Sequence, residues 1–237
     1  MNFRPQAQVL ALEADCGHLG RMSEFIYAPP ADDAPILHLD DDILAVDKPA
    51  GLLSVPGRGP ERADCLIERL RERFPQILLV HRLDLDTSGV IVFALSAQVQ
   101  AHLGRQFEHR RVQKRYVALV AGHPEGGKGR VDLPLVVDWP NRPRQKVCHE
   151  TGRAAQTDWR VLRAEGDNAR LRLMPVTGRS HQLRVHMQAL GHPILGDPLY
   201  SDGAAANWPR LMLHAEELRL THPQTGEAMK IRAPAPF

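Results

Sequence analysis

The stretch ILLVHRLDLDTSGVIVFAL, residues 77–95, holds a charged run between two apolar ones. ILLV (77–80) and VIVFAL (90–95) are short, apolar and rich in β-branched residues, and both read as buried strands. His81, Arg82, Asp84 and Asp86 are thereby placed at strand ends, where a rigid scaffold presents reactive groups. Asp84 lies between Leu83 and Leu85, so partial burial would favour its neutral form. A carboxylate that acts as a nucleophile must stay ionised, and the site should therefore supply an arginine. Two other readings compete. One is a turn whose Asp and Ser side chains cap backbone amides. The other is Asp84 and Asp86 as a pair for a hard cation, a weak signal because two aspartates one residue apart are common.

Working outward, ILAVDKP (43–49) predicts a strand stopped by Pro49, followed by a loop marked by Gly51, Pro56, Gly57 and Gly59. DCLIERLRERF (64–74) puts Leu66, Ile67, Leu70 and Phe74 on one helical face, with Asp64 as N-cap. A second helix is expected from Ser96 to about Arg110, then the strand YVALVAG (116–122). Residues 123–150 read as loops around a short strand. AQTDWRVLRA (155–164) and ARLRLMPV (169–176) read as an antiparallel pair. A third helix is suggested from Ser180 to Leu190, with Gly191 as its C-cap, and residues 211–234 read as a final hairpin. Strands outnumber helices and many are sequence neighbours, which predicts an α+β fold with a largely antiparallel sheet.

The 237 residues suffice for a substantial core. No run approaches the roughly 18 apolar residues of a membrane span, and no secretory leader is visible, so the expected location is the cytoplasm. Cys16, Cys65 and Cys148 are odd in number and scattered, which argues against a disulfide framework or a metal knuckle. Residues 1–34 read as an N-terminal extension, in part disordered, with Met22 an alternative start; the domain proper is expected over 35–237. The net charge is only +2, but residues 1–60 hold four Lys/Arg against nine Asp/Glu (−5), leaving the remainder at +7. Such a basic remainder can bind a polyanion locally.

Two further segments carry chemistry. In TGRSHQLRVHMQALGHPILGDPLY (177–200), Arg179 and Ser180 open the third helix, where an anion is favoured, and Arg184 lies one turn beyond Ser180. The alternative is a polar, exposed helix face. Zinc ligation by His181, His186 and His192 is a poor reading, since five residues put His181 and His186 out of register on a helix. In RQFEHRRVQKRYVALVAG (105–122), Arg105, Arg110, Arg111, Lys114 and Arg115 could follow a phosphate backbone, with Tyr116 stacking on an unpaired base. A solvated charged face ending in a core tyrosine is the competing reading. The loop NRPRQK (141–146) has the same ambiguity.

Together VDKPAGLLSVPG (46–57), HRLDLDTSGV (81–90), KRYVALVAG (114–122), TGRSHQLRVHMQALGHPILGDPLY (177–200) and LMLHAEELRLTHP (211–223) resemble the RluA family of pseudouridine synthases. VDLPLVVDWPNRPRQKVCHETGRAAQT (131–157) resembles the central segment of its dual-specificity 23S rRNA/tRNA members. The resemblance implies a pseudouridine-synthase-like fold, a mixed sheet with flanking helices and loops around a catalytic cleft, without an S4 domain. It implies an isomerase that needs neither metal nor cofactor and acts on structured RNA, with a 23S rRNA uridine and a tRNA anticodon stem-loop uridine as targets. A monomer is expected. By position, the resemblance makes Asp84 the catalytic aspartate, Tyr116 the residue that stacks on the target base and helps remove the C5 proton, and Arg184 the partner of the aspartate. Arg82 is expected to fill the space left by the flipped nucleotide, and Leu213 to line the base pocket. His81, Thr87, Arg179, His181, Arg110, Arg111 and Lys114 complete the expected RNA-contacting set.

Overall fold

The computed structural model describes residues 26–237. Most of the expected 1–34 extension, with the alternative start at Met22, lies outside the described residues. Its last part lies against the domain: the Tyr27 hydroxyl accepts from Leu53 N and donates to the Asp64 carbonyl, and Arg69 donates to the Pro30 carbonyl.

In chain order the elements are β1 (Ile36–Leu39), β2 (Ile43–Lys48), α1 (Leu66–Arg71), β3 (Leu78–Leu79), β4 (Ser88–Ala94), α2 (Ala97–Glu108) and β5 (Gln113–Ala121). There follow β6 (Lys128–Asp132), β7 (Leu135–Val137), β8 (Gln145–Val147), β9 (Gln156–Glu165), β10 (Asn168–Pro175), α3 (Gln182–Ala189), β11 (Leu213–Thr221) and β12 (Ala228–Arg232). The main sheet runs β1-β2-β4-β11-β5-β10-β9-β6, with β12 beside β11 and β3 beside β4, while β7 and β8 form a separate hairpin. Every pairing is antiparallel except β4 with β11. The α+β class and the largely antiparallel sheet are as expected.

The period of two along β2 and β4 explains why both faces of this half are covered. Ile43, Ala45, Val90, Val92 and Ala94 face the core under α2, whereas Leu44, Val46, Ile91 and Phe93 face the one under α1. A separate core lies on the β5-β10-β9 half against α3, with Leu171, Leu173, Leu183 and Met187. Tyr116 touches both the α1 core and the α3 core. The parallel contact of β4 with β11 requires close approach: a Cβ on Gly89, at φ +113°, would lie 2.4 Å from the Ala215 carbonyl oxygen. Only glycine fits there.

Several boundaries differ from expectation. The helix expected over 64–74 is confined to α1, and Asp64 is not its cap. Cys65 holds that position, while Asp64 is taken by a bidentate pair with Arg69. The strand expected over 77–80 narrows to β3 because only Leu78 and Leu79 reach β4. The middle segment holds three strands rather than one. The helix expected from Ser180 begins at Gln182, because His181 sits in the left-handed region (φ 53°). Gly191, at φ +86°, ends it as expected, its N–H donating to the Gln188 carbonyl. Ser96 also caps α2 as a residue of its type should, its hydroxyl accepting from Val99 N. Replacing it by Ala is expected to cost about 1 kcal/mol, seen as a melting point lower by about 2–4 °C.

Candidate active site

The polar segment between β3 and β4 forms one wall of a cleft of about 330 Å³. A backbone bond from Thr87 N to the Asp84 carbonyl closes a turn at its tip. The preceding β2–α1 segment holds the loop from behind. Ser54 Oγ donates to the Leu83 carbonyl and accepts from Leu83 N, and Gly51 N donates to the Leu85 carbonyl. Lys48, with no exposed surface, donates to the carbonyls of Pro49, Leu52 and Leu85. Burial pushes its ammonium down to about 7, while Asp86 and Asp84 push it up. Three carbonyl acceptors also favour the ammonium, which alone carries three donors. At the start of the loop, His81 stacks on Phe107 and accepts Val92 N through Nε2. Burial and Lys114 push its pKa to about 3, so the ring stays neutral. The capping alternative fails for Ser88, whose hydroxyl bonds His214 and Arg210 instead.

The opposite wall is built by β5, β11 and α3. Helix α3 is not the exposed polar face considered above: Gln182, Arg184 and His186 are all buried. Arg184 is 3% exposed and forms a bidentate pair with Asp197, both N···O distances being 2.7 Å. Its Nη1 lies 3.8 Å from Asp84 Oδ2. The expected Arg184–Asp84 pairing is thus present but is the longer of two, and Asp197 is the tighter partner. Asp197 also accepts the backbone N–H groups of Leu199 and Tyr200. Tyr200 in turn accepts Gln145 N, and its hydroxyl is hydrogen-bonded to His181 Nδ1. Tyr116 lines the cleft, its phenol pushed well up by burial and by the charge of Asp84, so it stays protonated.

His81, Arg82, Asp84, Thr87, Lys114, Tyr116, Arg179, His181, Arg184 and Leu213 all line this one cleft. Arg110 lines an adjoining cavity together with Lys114 and Arg179. Arg111 lines neither cavity. Lys114 reaches across to the Thr177 carbonyl, and burial lowers its pKa to about 8. Arg115 turns away to Glu217.

Sequence reasoning missed Lys48, Ser54 and Asp197. A lysine at the end of the largely apolar strand β2 was the visible signal for the first. Asp197 lay within a quoted segment but had no partner assigned.

Zinc ligation has no support in the structure: His181 bonds Tyr200, His186 bonds Thr157 and the Leu133 carbonyl, and His192 bonds the Ala121 carbonyl. Among the described residues, one set of three or more His, Cys or acidic side chains has metal-compatible spacing: Asp40, Asp42 and His222, away from the cleft. His222 Nδ1 accepts Gln224 N and Thr225 N, so its Nε2 carries the proton and donates to Asp40 rather than facing a cation with a lone pair.

The model of the RNA pseudouridylate synthase family matches residues 42–189. The dual-specificity RNA pseudouridine synthase RluA of Escherichia coli K12 is 56% identical over 214 residues, covering 89% of this chain and 98% of its own. The protein of the same name from Salmonella typhi is 54% identical with the same coverage. Among solved structures, human RNA pseudouridylate synthase domain containing 1 superposes with a TM-score of 0.72 at 31% identity, covering 89% of this chain and 87% of its own.

Proposed function

The chain belongs to the RNA pseudouridylate synthase family, and from that premise we propose that Asp84 is the carboxylate through which it isomerises uridine, in both a 23S rRNA and a tRNA anticodon stem-loop. One observation carries the assignment of the residue. The Asp84 carboxylate opens into the cleft 3.8 Å from a buried guanidinium that Asp197 fixes in place. That arrangement supplies a compensated negative charge at a position of low mobility.

The reaction breaks the N1–C1′ bond, turns uracil in the cleft, and joins C5 to C1′. The product is an isomer of uridine: C5 gives up its proton once it is joined to C1′, and N1 takes up one, either that same proton or one from solvent. Asp84 serves as nucleophile at C1′ or as base on the ribose. Tyr116, neutral in the resting site, offers its ring to the flipped uracil; Leu213 closes the apolar side. Flipping costs a few kcal/mol, least in a loop. Arg82 is exposed at the cleft mouth, suited to fill the gap in the stack. Lys114, Arg179 and Arg110 supply positive charge along the rim for phosphates, with Arg111 further out. His81, Thr87 and His181 hold the walls. The chain acts as a monomer in the cytoplasm, on the domain beginning near residue 35. Among the described residues no helix is long and apolar enough to cross a membrane.

The test is pseudouridine mapping after incubation with a stem-loop of about 17 nucleotides, comparable to the roughly 16-base-pair reach of compact RNA-binding domains, and with protein-free 23S RNA. Both should be modified, each at a defined uridine. Asp86→Asn should retain activity within about tenfold and a chelator should have no effect, because loss of one ligand or of the metal is severe only where a metal does the chemistry. A dead Asp86→Asn together with a requirement for Mg²⁺ would establish the metal pair instead.

A further inference from the structure

The hairpin β7–β8 presents a side chain that the cleft does not use. Its turn carries Trp139, 66% exposed, in a sequence otherwise rich in cationic and polar groups. The turn is internally tied. Asp138 N donates to the Arg144 carbonyl, Asn141 N to the Asp138 carbonyl, and Arg144 N to the Asn141 carbonyl. Asp138 also accepts the Asn141 amide and lies 3.4 Å from Lys146. The indole is therefore held out on a braced turn. One of its faces is covered by Arg142, whose guanidinium carbon is 4.3 Å from the ring centroid. Among the described residues no carboxylate lies within ion-pair distance of Arg142. Arg142, Arg144 and Lys146 make the tip basic.

The same hairpin is bonded to the active site at the first residue of β8, next to the turn. Gln145 N donates to the Tyr200 hydroxyl, that hydroxyl is hydrogen-bonded to His181 Nδ1 of the cleft wall, and the Arg144 guanidinium lies 5.4 Å from the Tyr200 ring centroid. A rigid aromatic with a guanidinium behind it, on a basic turn anchored to the cleft wall, suits a nucleobase better than a protein surface. A nucleotide has a base face for the indole and a phosphate for the cations.

We propose that Trp139, backed by Arg142, is a stacking platform for an unpaired base of the substrate RNA outside the target uridine. This rests on the reading of the chain as an enzyme acting on structured RNA. The platform contributes to substrate selection: an RNA must present a second unstacked base at the correct distance from the flipped one. Because that base stacks alike before and during the reaction, it acts on affinity rather than on turnover.

The experiment measures pseudouridine formation in the stem-loop by the parent, Trp139→Ala, Trp139→Phe and Trp139→Gln. Trp139→Ala should raise KM about 5- to 150-fold with kcat within about twofold, the range seen when a stacking aromatic is removed. Trp139→Phe should restore most of the affinity and Trp139→Gln should not. Single abasic sites scanned through the loop should find one position that costs the parent a similar factor and costs Trp139→Ala nothing further. A structural role for the indole would not produce that non-additivity. An unchanged KM in Trp139→Ala, or abasic penalties equal in parent and variant at every position, overturns the proposal. A dimer in sedimentation that Trp139→Ala dissolves also overturns it, in favour of contact between two copies. If the parent makes no pseudouridine, the enzymatic reading itself fails; if Asp84→Asn is inactive while Trp139→Ala matches the parent, only the platform does.

Discussion

Asp84→Asn is expected to abolish pseudouridine formation, with a loss on the order of a millionfold, as for removal of a nucleophile in other enzymes. The amide is nearly isosteric and cannot act as nucleophile or strong base. The fold should not notice. The loop backbone is held by Ser54, Gly51 and Lys48 rather than by the Asp84 side chain. Arg184 keeps its bidentate partner Asp197. Binding of the stem-loop should stay within a few-fold of the parent, or tighten, because a negative charge facing RNA is removed. Single-turnover pseudouridine yield and a filter-binding titration on the same preparation check both halves. Activity within about tenfold of the parent would remove Asp84 from the chemistry. Loss of activity together with loss of binding would leave the residue as part of RNA recognition only.

Local pattern made much of the fold legible. The alternation in β2 and β4 and the apolar stripe of α2 are set by residues close in sequence, and a period of two or 3.6 reports them directly. The Arg184 and Tyr116 positions were legible through family resemblance, and the cleft brings both beside Asp84. What stayed hidden depends on distant partners. The acidic side chain nearest Arg184 comes from a loop 13 residues further on. Nothing in the spacing indicates that this loop folds back onto α3. Lys48 reads as a strand-ending charge that should reach solvent, and it is buried because three carbonyls converge on its ammonium only after two loops close. Asp64 shows the opposite error. Its residue type suits a helix cap, but Arg69 on the following turn competes for the carboxylate and takes both oxygens. The β7–β8 hairpin was masked by glycines and prolines on either side, although its anchoring to Tyr200 ties it to the site.

Asp197→Ala is expected to be the most destabilising single change near the cleft. Arg184 and Asp197 are 3% and 0% exposed, so their pairing is not screened by solvent. Removing the carboxylate leaves a buried guanidinium with only Asp84 at 3.8 Å, and also strips two backbone N–H groups of their acceptor. Breaking a buried pair in this way costs about 3–5 kcal/mol. For a chain of this size, at about 2–4 °C per kcal/mol, the melting point should fall by on the order of 10 °C. A melting point within about 2 °C of the parent would show that the pair contributes little. The double variant Arg184→Met with Asp197→Leu separates stability from chemistry. Two apolar side chains of similar volume avoid the desolvation of both charges, and such replacements are often neutral or stabilising. Its melting point should therefore return most of the way to that of the parent. Its activity should not, because Asp84 then lacks the buried guanidinium beside it. A stable double variant that still makes pseudouridine at the parent's rate would mean that Asp84 needs no guanidinium, and that Arg184 is a structural residue that happens to lie beside it.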